Sequence, residues 1–164
     1  MQVLKEGRMC MARKHKERQK PVICPYCRRT AVLRSASYVY GKDTLNPNSY
    51  LYVCSGYPEC DAYVGVHEKS MRPKGTLANS DLRNKRIQAH RALDALWKEG
   101  YMTRHSTYIW LQNRLNLRER DMHIGMFSEY LCGETIRECT EFVKLHQRLR
   151  KGGHNFETRK QNSA

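Results

Sequence analysis

The 164-residue sequence has no run near the roughly 18 consecutive apolar residues that a bilayer-crossing helix needs. Its opening stretch, MQVLKEGRMCMARKHKERQK, is basic and lacks the apolar core of a secretory leader. A membrane partner is not expected, and a cytoplasmic location follows by default. Bulky apolar aromatics are also scarce, with three Phe and two Trp against ten Tyr. The chain has material for one ordinary domain, or for a small metal-stapled module joined to a small helical one. Acidic residues are few as well: 16 against 30 Lys and Arg, a formal net charge of +14. Such a surface concentrates polyanions, because each phosphate it neutralises releases a counterion. Nucleic acid is the leading partner on this ground, ahead of an anionic membrane surface, an acidic protein or simple solubility.

The charge is unevenly placed. Residues 1–36 carry ten Lys and Arg against Glu6 and Glu17, a net of +8, whereas residues 37–66 carry only Lys42 against Asp43, Glu59 and Asp61. The basic excess therefore sits on an arm, residues 1–20, and on the first turn of the segment that follows.

Seven cysteines raise the question of disulfides, but the number is odd and two of them form a CxxC pair. In a reducing compartment that spacing reads as metal ligation. Four thiolates in a tetrahedron are the usual structural zinc shell, and CxxC lets one tight turn present two sulfurs to one ion. Cys24-Pro25-Tyr26-Cys27 is such a knuckle, and Cys54-Ser55-Gly56-Tyr57-Pro58-Glu59-Cys60 is a longer second loop. The 26 residues between Cys27 and Cys54 suffice for a hairpin that brings the two together. Two strands alone are marginal in water; zinc ligation offsets that by about 10 kcal/mol. Four cysteines leave no open coordination position, so the expected cofactor is one structural zinc ion. Cys10, Cys132 and Cys139 remain as thiols, buried as small hydrophobes or free at the surface.

Around these knuckles, residues 21–66 are rich in β-branched and aromatic residues, with turn residues at Gly41-Lys42-Asp43 and Asn46-Pro47-Asn48. The pattern predicts strands over 31–40, 50–54 and 62–66. Residues 67–78, with Pro73 and Gly75, read as a linker or an ordered connection. Beyond them the chain is helical. Asn79 or Ser80 caps a helix to about residue 99, with Gly100 as the stop and Leu82, Ala89, Leu93 and Leu96 facing a core. A second helix over 104–115 buries Tyr108, Leu111 and Leu115. A third carries Ile136, Cys139, Val143 and Leu149 and is expected to end at Gly152-Gly153. The fold class is thus α+β: a basic arm (1–20), a small antiparallel zinc ribbon (21–66), a connection (67–78), a three-helix half (79–152) and a disordered tail (153–164).

The CPYC and CSGYPEC knuckles resemble the C-terminal zinc ribbons of type IA DNA topoisomerases, over residues 21–66 only. That resemblance implies a four-cysteine ribbon that binds single-stranded DNA, with Cys24, Cys27, Cys54 and Cys60 as ligands and Tyr57 and Pro58 as the matching loop residues. It brings no catalytic residue. Where the topoisomerase pattern has glycine soon after the first knuckle, this chain has Arg28-Arg29, and its inter-knuckle segment is longer. The longer stretch CDAYVGVHEKSMRPKGTLAN, with the RxxAHxxxDxxW and HIGMF elements, looks like a bacterial and phage group described only as zinc-finger-containing, which implies no established activity.

Single strands are held by aromatic faces set among cations. Tyr38 and Tyr40 would share one strand face, and Tyr50 and Tyr52 another; with Tyr57 they could form a stacking platform or the ribbon's own small core. Arg28, Arg29 and Arg34 supply cations there. Arg83 and Arg86, with Lys85 and Arg91, could add phosphate contacts from the first long helix or form a solvated face. The reading is a non-enzymatic nucleic-acid binder of weak sequence preference, DNA ahead of RNA and single strands favoured. A metal-dependent nuclease is the alternative: His90 and Asp94 stand at i, i+4, and His67 and His123 could join them. Against it, His67-Glu68 lacks the spacing of a deaminase HxE and no HExxH occurs. A His–Asp pair beside Trp97 also serves as a structural hydrogen bond. A third reading is a phage-type protein that docks on a host nucleic-acid-processing enzyme.

Overall fold

Three short strands and four helices follow one another in a computed structural model that describes residues 20–161. Strands β1 (Ala31–Ser35), β2 (Tyr50–Cys54) and β3 (Tyr63–Gly65) form an antiparallel sheet in that order. Val32 faces Val53 and Val53 faces Tyr63, while Arg34 faces Leu51. Strand alternation therefore puts Val32, Arg34, Leu51, Val53 and Tyr63 on one face. The opposite face, with Ala31, Tyr52 and Val64, packs with Cys24, Cys54, Ala62 and Leu77 into a small core.

The strand expected over 31–40 ends at Ser35. The hairpin closes where the Ala36 amide donates to the Ser49 carbonyl (2.8 Å), and the chain then winds one helical turn, α1 (Ser37–Tyr40). Gly41, at φ +82°, stops it. Tyr38 and Tyr40 are consequently helical neighbours and share no strand face.

Residues 67–78 are an ordered connection. They fold back along the sheet through bridges from Pro73 to Val66 and from Ala78 to Tyr63. At Gly75 the backbone passes so close to the Gly125 carbonyl that no side chain fits, and the Thr76 amide donates to that same carbonyl at 3.1 Å.

Helix α2 (Ser80–Lys98) starts at Asn79, whose side chain accepts from the Leu82 amide at 3.0 Å, and ends before Gly100 at φ +76°. Helix α3 (Arg104–Arg114) is capped in the same way by Thr103. A 3-10 turn over Ile124–Met126 precedes α4 (Glu129–Gln161), which lies mainly against α2. The core between them holds Leu82, Ala89, Leu93, Leu96, Leu111, Ile124, Phe127, Cys132 and Cys139. The two last cysteines are thus buried hydrophobes, while Cys10 lies with the basic arm outside the described residues. Leu149, further along α4, is 64% exposed. Helix α4 also runs through Gly152-Gly153 to Gln161: glycine weakens a helix interior by about 1 kcal/mol but stops it only when a residue turns left-handed there.

The two halves are clamped at the start of α2. Asp61 accepts from the Ser80 amide (2.8 Å) and from Arg83 (3.1 Å), and Arg83 also donates to the Asp61 and Ala78 carbonyls. The Arg83 guanidinium lies 3.7 Å above the Tyr63 ring.

Candidate metal centre

The CPYC turn and the CSGYPEC loop meet at the end of the sheet. Cys54 closes β2, opposite Ala31 of β1, and the Cys24 amide donates to the Arg29 carbonyl (2.8 Å), which holds the first knuckle shut. The sulfurs of Cys24, Cys27, Cys54 and Cys60 all lie within 4.8 Å of one another, with Cys24–Cys60 at 3.6 Å and Cys27–Cys54 at 3.2 Å. Zinc–sulfur bonds of about 2.3 Å in a tetrahedron place sulfurs about 3.8 Å apart, so the four fit one ion. All four are free cysteines, their sulfurs well beyond the disulfide bond length of about 2.05 Å.

Backbone donors support the thiolates. The Gly56 amide points at the Cys54 sulfur (3.4 Å). The Arg29 amide, helped by the Cys54 thiol, lowers the Cys27 pKa to about 7. Burial raises Cys54 to about 12 and pushes Cys60 up as well. Without a cation, buried thiolates here would be costly; a divalent ion removes that cost and deprotonates them. Four sulfurs fill the shell, so the ion's role is structural: it holds both knuckles and the end of β2 in one place.

Beside the centre the ribbon carries a face of cations and tyrosines. The Arg29 guanidinium lies across Gly56, so close that a methyl group there would strike it. The next residue, Tyr57, packs on Tyr38 with ring centroids 5.7 Å apart, and Arg34 sits 5.2 Å from the Tyr38 centroid. Tyr40 meets Tyr63 edge-on at 5.7 Å. Tyr38 and Tyr40 are 50% and 54% exposed. Arg28 is exposed and holds φ at +62°, in the left-handed region.

A model of the zinc-finger-containing domain family matches residues 20–142. The chain belongs to that family. No curated protein matches the chain, and neither does any solved structure. The matched span of this zinc-finger-containing domain takes in the ribbon, the folded-back connection, α2, α3 and the first half of α4.

Several expected site residues go elsewhere. Tyr52 is half-buried and packs with Cys54, Leu77 and Val64 on the side away from Arg34. Arg83 is consumed by Asp61, Ala78 and Tyr63. Arg86 is buried at 8% exposure: Nε and Nη2 donate to the Phe127 carbonyl (3.0 and 2.9 Å), Nη1 to the Thr76 carbonyl (2.9 Å) and Nη2 to the Thr76 hydroxyl (2.7 Å). Neither arginine is free to meet a phosphate. The histidines fare no better as a cluster. Among the described residues the four cysteines are the one group of His, Cys, Asp and Glu able to share an ion, and His67, His90, Asp94 and His123 form no second one. Asp94 accepts from Trp97 (3.2 Å) and Lys98 (3.0 Å); burial alone would raise its carboxyl, but these bonds hold it below its usual range. Sequence reasoning missed the anchoring roles of Asp61 and Tyr26. The Tyr26 hydroxyl donates to the Asn79 side chain and accepts from its amide, both at 3.2 Å, tying the first knuckle to the start of α2. Nothing in their sequence context singled them out.

No described helix is long and apolar enough to cross a membrane.

Proposed function

We propose that the zinc ribbon is a nucleic-acid-binding platform, for DNA with single strands favoured, of weak sequence preference and without catalysis of its own, working in the cytoplasm. The observation that carries this reading is the continuous run Arg29, Tyr57, Tyr38, Arg34, in which exposed cations flank paired tyrosine rings on a scaffold fixed by the metal. Bases stack on such rings whatever their identity, and the guanidinium groups neutralise the phosphates between them. Two further features support it: the formal charge of +14, and the resemblance of both knuckles to topoisomerase ribbons. Arg28 adds a third. A non-glycine residue held at φ +62° costs about 1–2 kcal/mol, and strain kept at one surface cation marks it as useful there.

The test is a titration of the zinc-loaded chain with single-stranded DNA, duplex DNA and RNA at two salt concentrations. The affinity should fall steeply with salt and be highest for the DNA single strand. Tyr38→Ala should weaken it by about 1–3 kcal/mol, and the pair Arg28→Ala, Arg29→Ala should flatten the salt slope by about 0.7 for each lost phosphate contact. Absence of affinity for all three at low salt would defeat the proposal. A second reading, docking on a host nucleic-acid-processing protein, is favoured by one observation: β1 is an edge strand of the sheet and can pair with a partner's strand.

A further inference from the structure

A groove of about 780 Å³ opens between the loop joining α1 to β2, the ends of β2 and β3, and the folded-back connection. Its volume falls within the range of roughly 300–1,000 Å³ usual for small-ligand sites. Tyr40 and Tyr50 are part of its wall, Asn46 and Asn48 bring side-chain amides from the loop, and Glu68 and Lys74 come from the connection. All six are exposed. None of them belongs to the metal shell, and only Tyr40 was absorbed by the aromatic face described above.

We infer that this groove receives one unpaired nucleobase of the bound strand and favours a base bearing an exocyclic amine, cytosine above thymine. The inference rests on the proposed nucleic-acid reading and specifies it further. Tyr40 belongs both to the groove and to the tyrosine face, through its edge contact with Tyr63. A strand stacked on Tyr38 therefore reaches the groove without leaving the protein, and its next base can stack on Tyr40 or Tyr50. An unpaired base also brings a hydrogen-bonding edge that duplex DNA hides. The amides of Asn46 and Asn48 each donate and accept, so they can engage any base edge. Glu68 cannot: its carboxylate only accepts, and it is the one acidic side chain along the groove. It accepts from the amino group of cytosine, whereas thymine offers it only N3–H, set between two carbonyl oxygens that repel the carboxylate. Lys74 at the same wall meets the phosphate that follows. The occupant is a nucleotide because the groove combines stacking rings, amide edges and a cation on a strongly basic chain.

The experiment measures anisotropy of labelled dC12 and dT12 with the full-length, zinc-loaded chain at neutral pH, for the unaltered protein and for Glu68→Ala, Asn48→Ala and Tyr38→Ala. All three altered side chains lie on the surface, and zinc content with circular dichroism confirms each fold. The expected result is that dC12 binds at least about fivefold more tightly than dT12. Glu68→Ala should abolish that ratio while dT12 affinity holds or rises, and Tyr38→Ala should weaken both strands and keep the ratio. Equal affinity for the two strands overturns the inference, and so does a preference that survives both Glu68→Ala and Asn48→Ala. In either case binding lost with Tyr38→Ala leaves the platform intact. Failure of both strands to bind at low salt overturns the platform and the groove together.

Discussion

Replacing Arg86 by methionine keeps the apolar stem and removes the guanidinium that joins the connection to the turn before α4. Three acceptors lose their donor: the Phe127 carbonyl, the Thr76 carbonyl and the Thr76 hydroxyl. Each hydrogen bond to a charged group contributes about 1.5–3 kcal/mol, and a buried carbonyl left without a donor costs about 1–3 kcal/mol. Thr76 lies near the surface and water replaces part of its loss, whereas Phe127 is 1% exposed and its carbonyl has no such recourse. A net destabilisation of about 3–5 kcal/mol follows. For a chain of this length that lowers Tm by roughly 6–20 °C. Thermal melts followed by circular dichroism at 222 nm would measure it, with strand affinity measured below the transition. Were Arg86 a phosphate contact, the same substitution would leave Tm nearly unchanged and reduce the salt slope. A Tm within about 2 °C of the parent would refute the clamp.

Gly75→Ala should be at least as disruptive, since the new methyl group collides with the Gly125 carbonyl and neither backbone can yield; a fall in the urea midpoint equivalent to about 3 kcal/mol is expected. Arg28→Gly should separate stability from binding, raising the unfolding free energy by about 1 kcal/mol through relief of the left-handed strain while lowering strand affinity and its salt slope. Zinc affinity should climb with pH. Cys54, raised to about 12, and Cys60, also raised, each shed a proton on binding at neutral pH, so log K gains at least about 2 per pH unit, and more below about 7, where Cys27 is protonated too. Competition with a chelator across pH 6–8 measures this, and a flat profile would refute it.

The metal shell was legible because CxxC is a local spacing with one strong physical meaning, and the bounds of α2 because Asn79 and Gly100 act on the backbone beside them. Arg86 was half legible. It stands within the stripe Leu82, Arg86, Ala89, Leu93, Leu96, which the helical period turns inward; its charge drew attention to solvent, although a cation on such a stripe must find acceptors. Tyr38 and Tyr40 were misplaced because β-propensity runs on past Ser35, while the strand ends where its partner does, at the Ala36–Ser49 bond. The encounters of Asp61 with Arg83 and of Tyr26 with Asn79 depend on how the ribbon meets the start of α2, which no local pattern encodes. Leu149 lies open because, six residues beyond Val143, it falls off the stripe that Ile136, Cys139 and Val143 share.

The most direct measurement is the metal content of the purified full-length chain, by mass spectrometry of the metal and of the intact protein under native conditions. One zinc ion per chain is expected, lost on Cys54→Ser together with the ordered sheet. A chain that carries no stoichiometric metal, or that keeps the β1–β2–β3 sheet after Cys54→Ser, would contradict the account at its base.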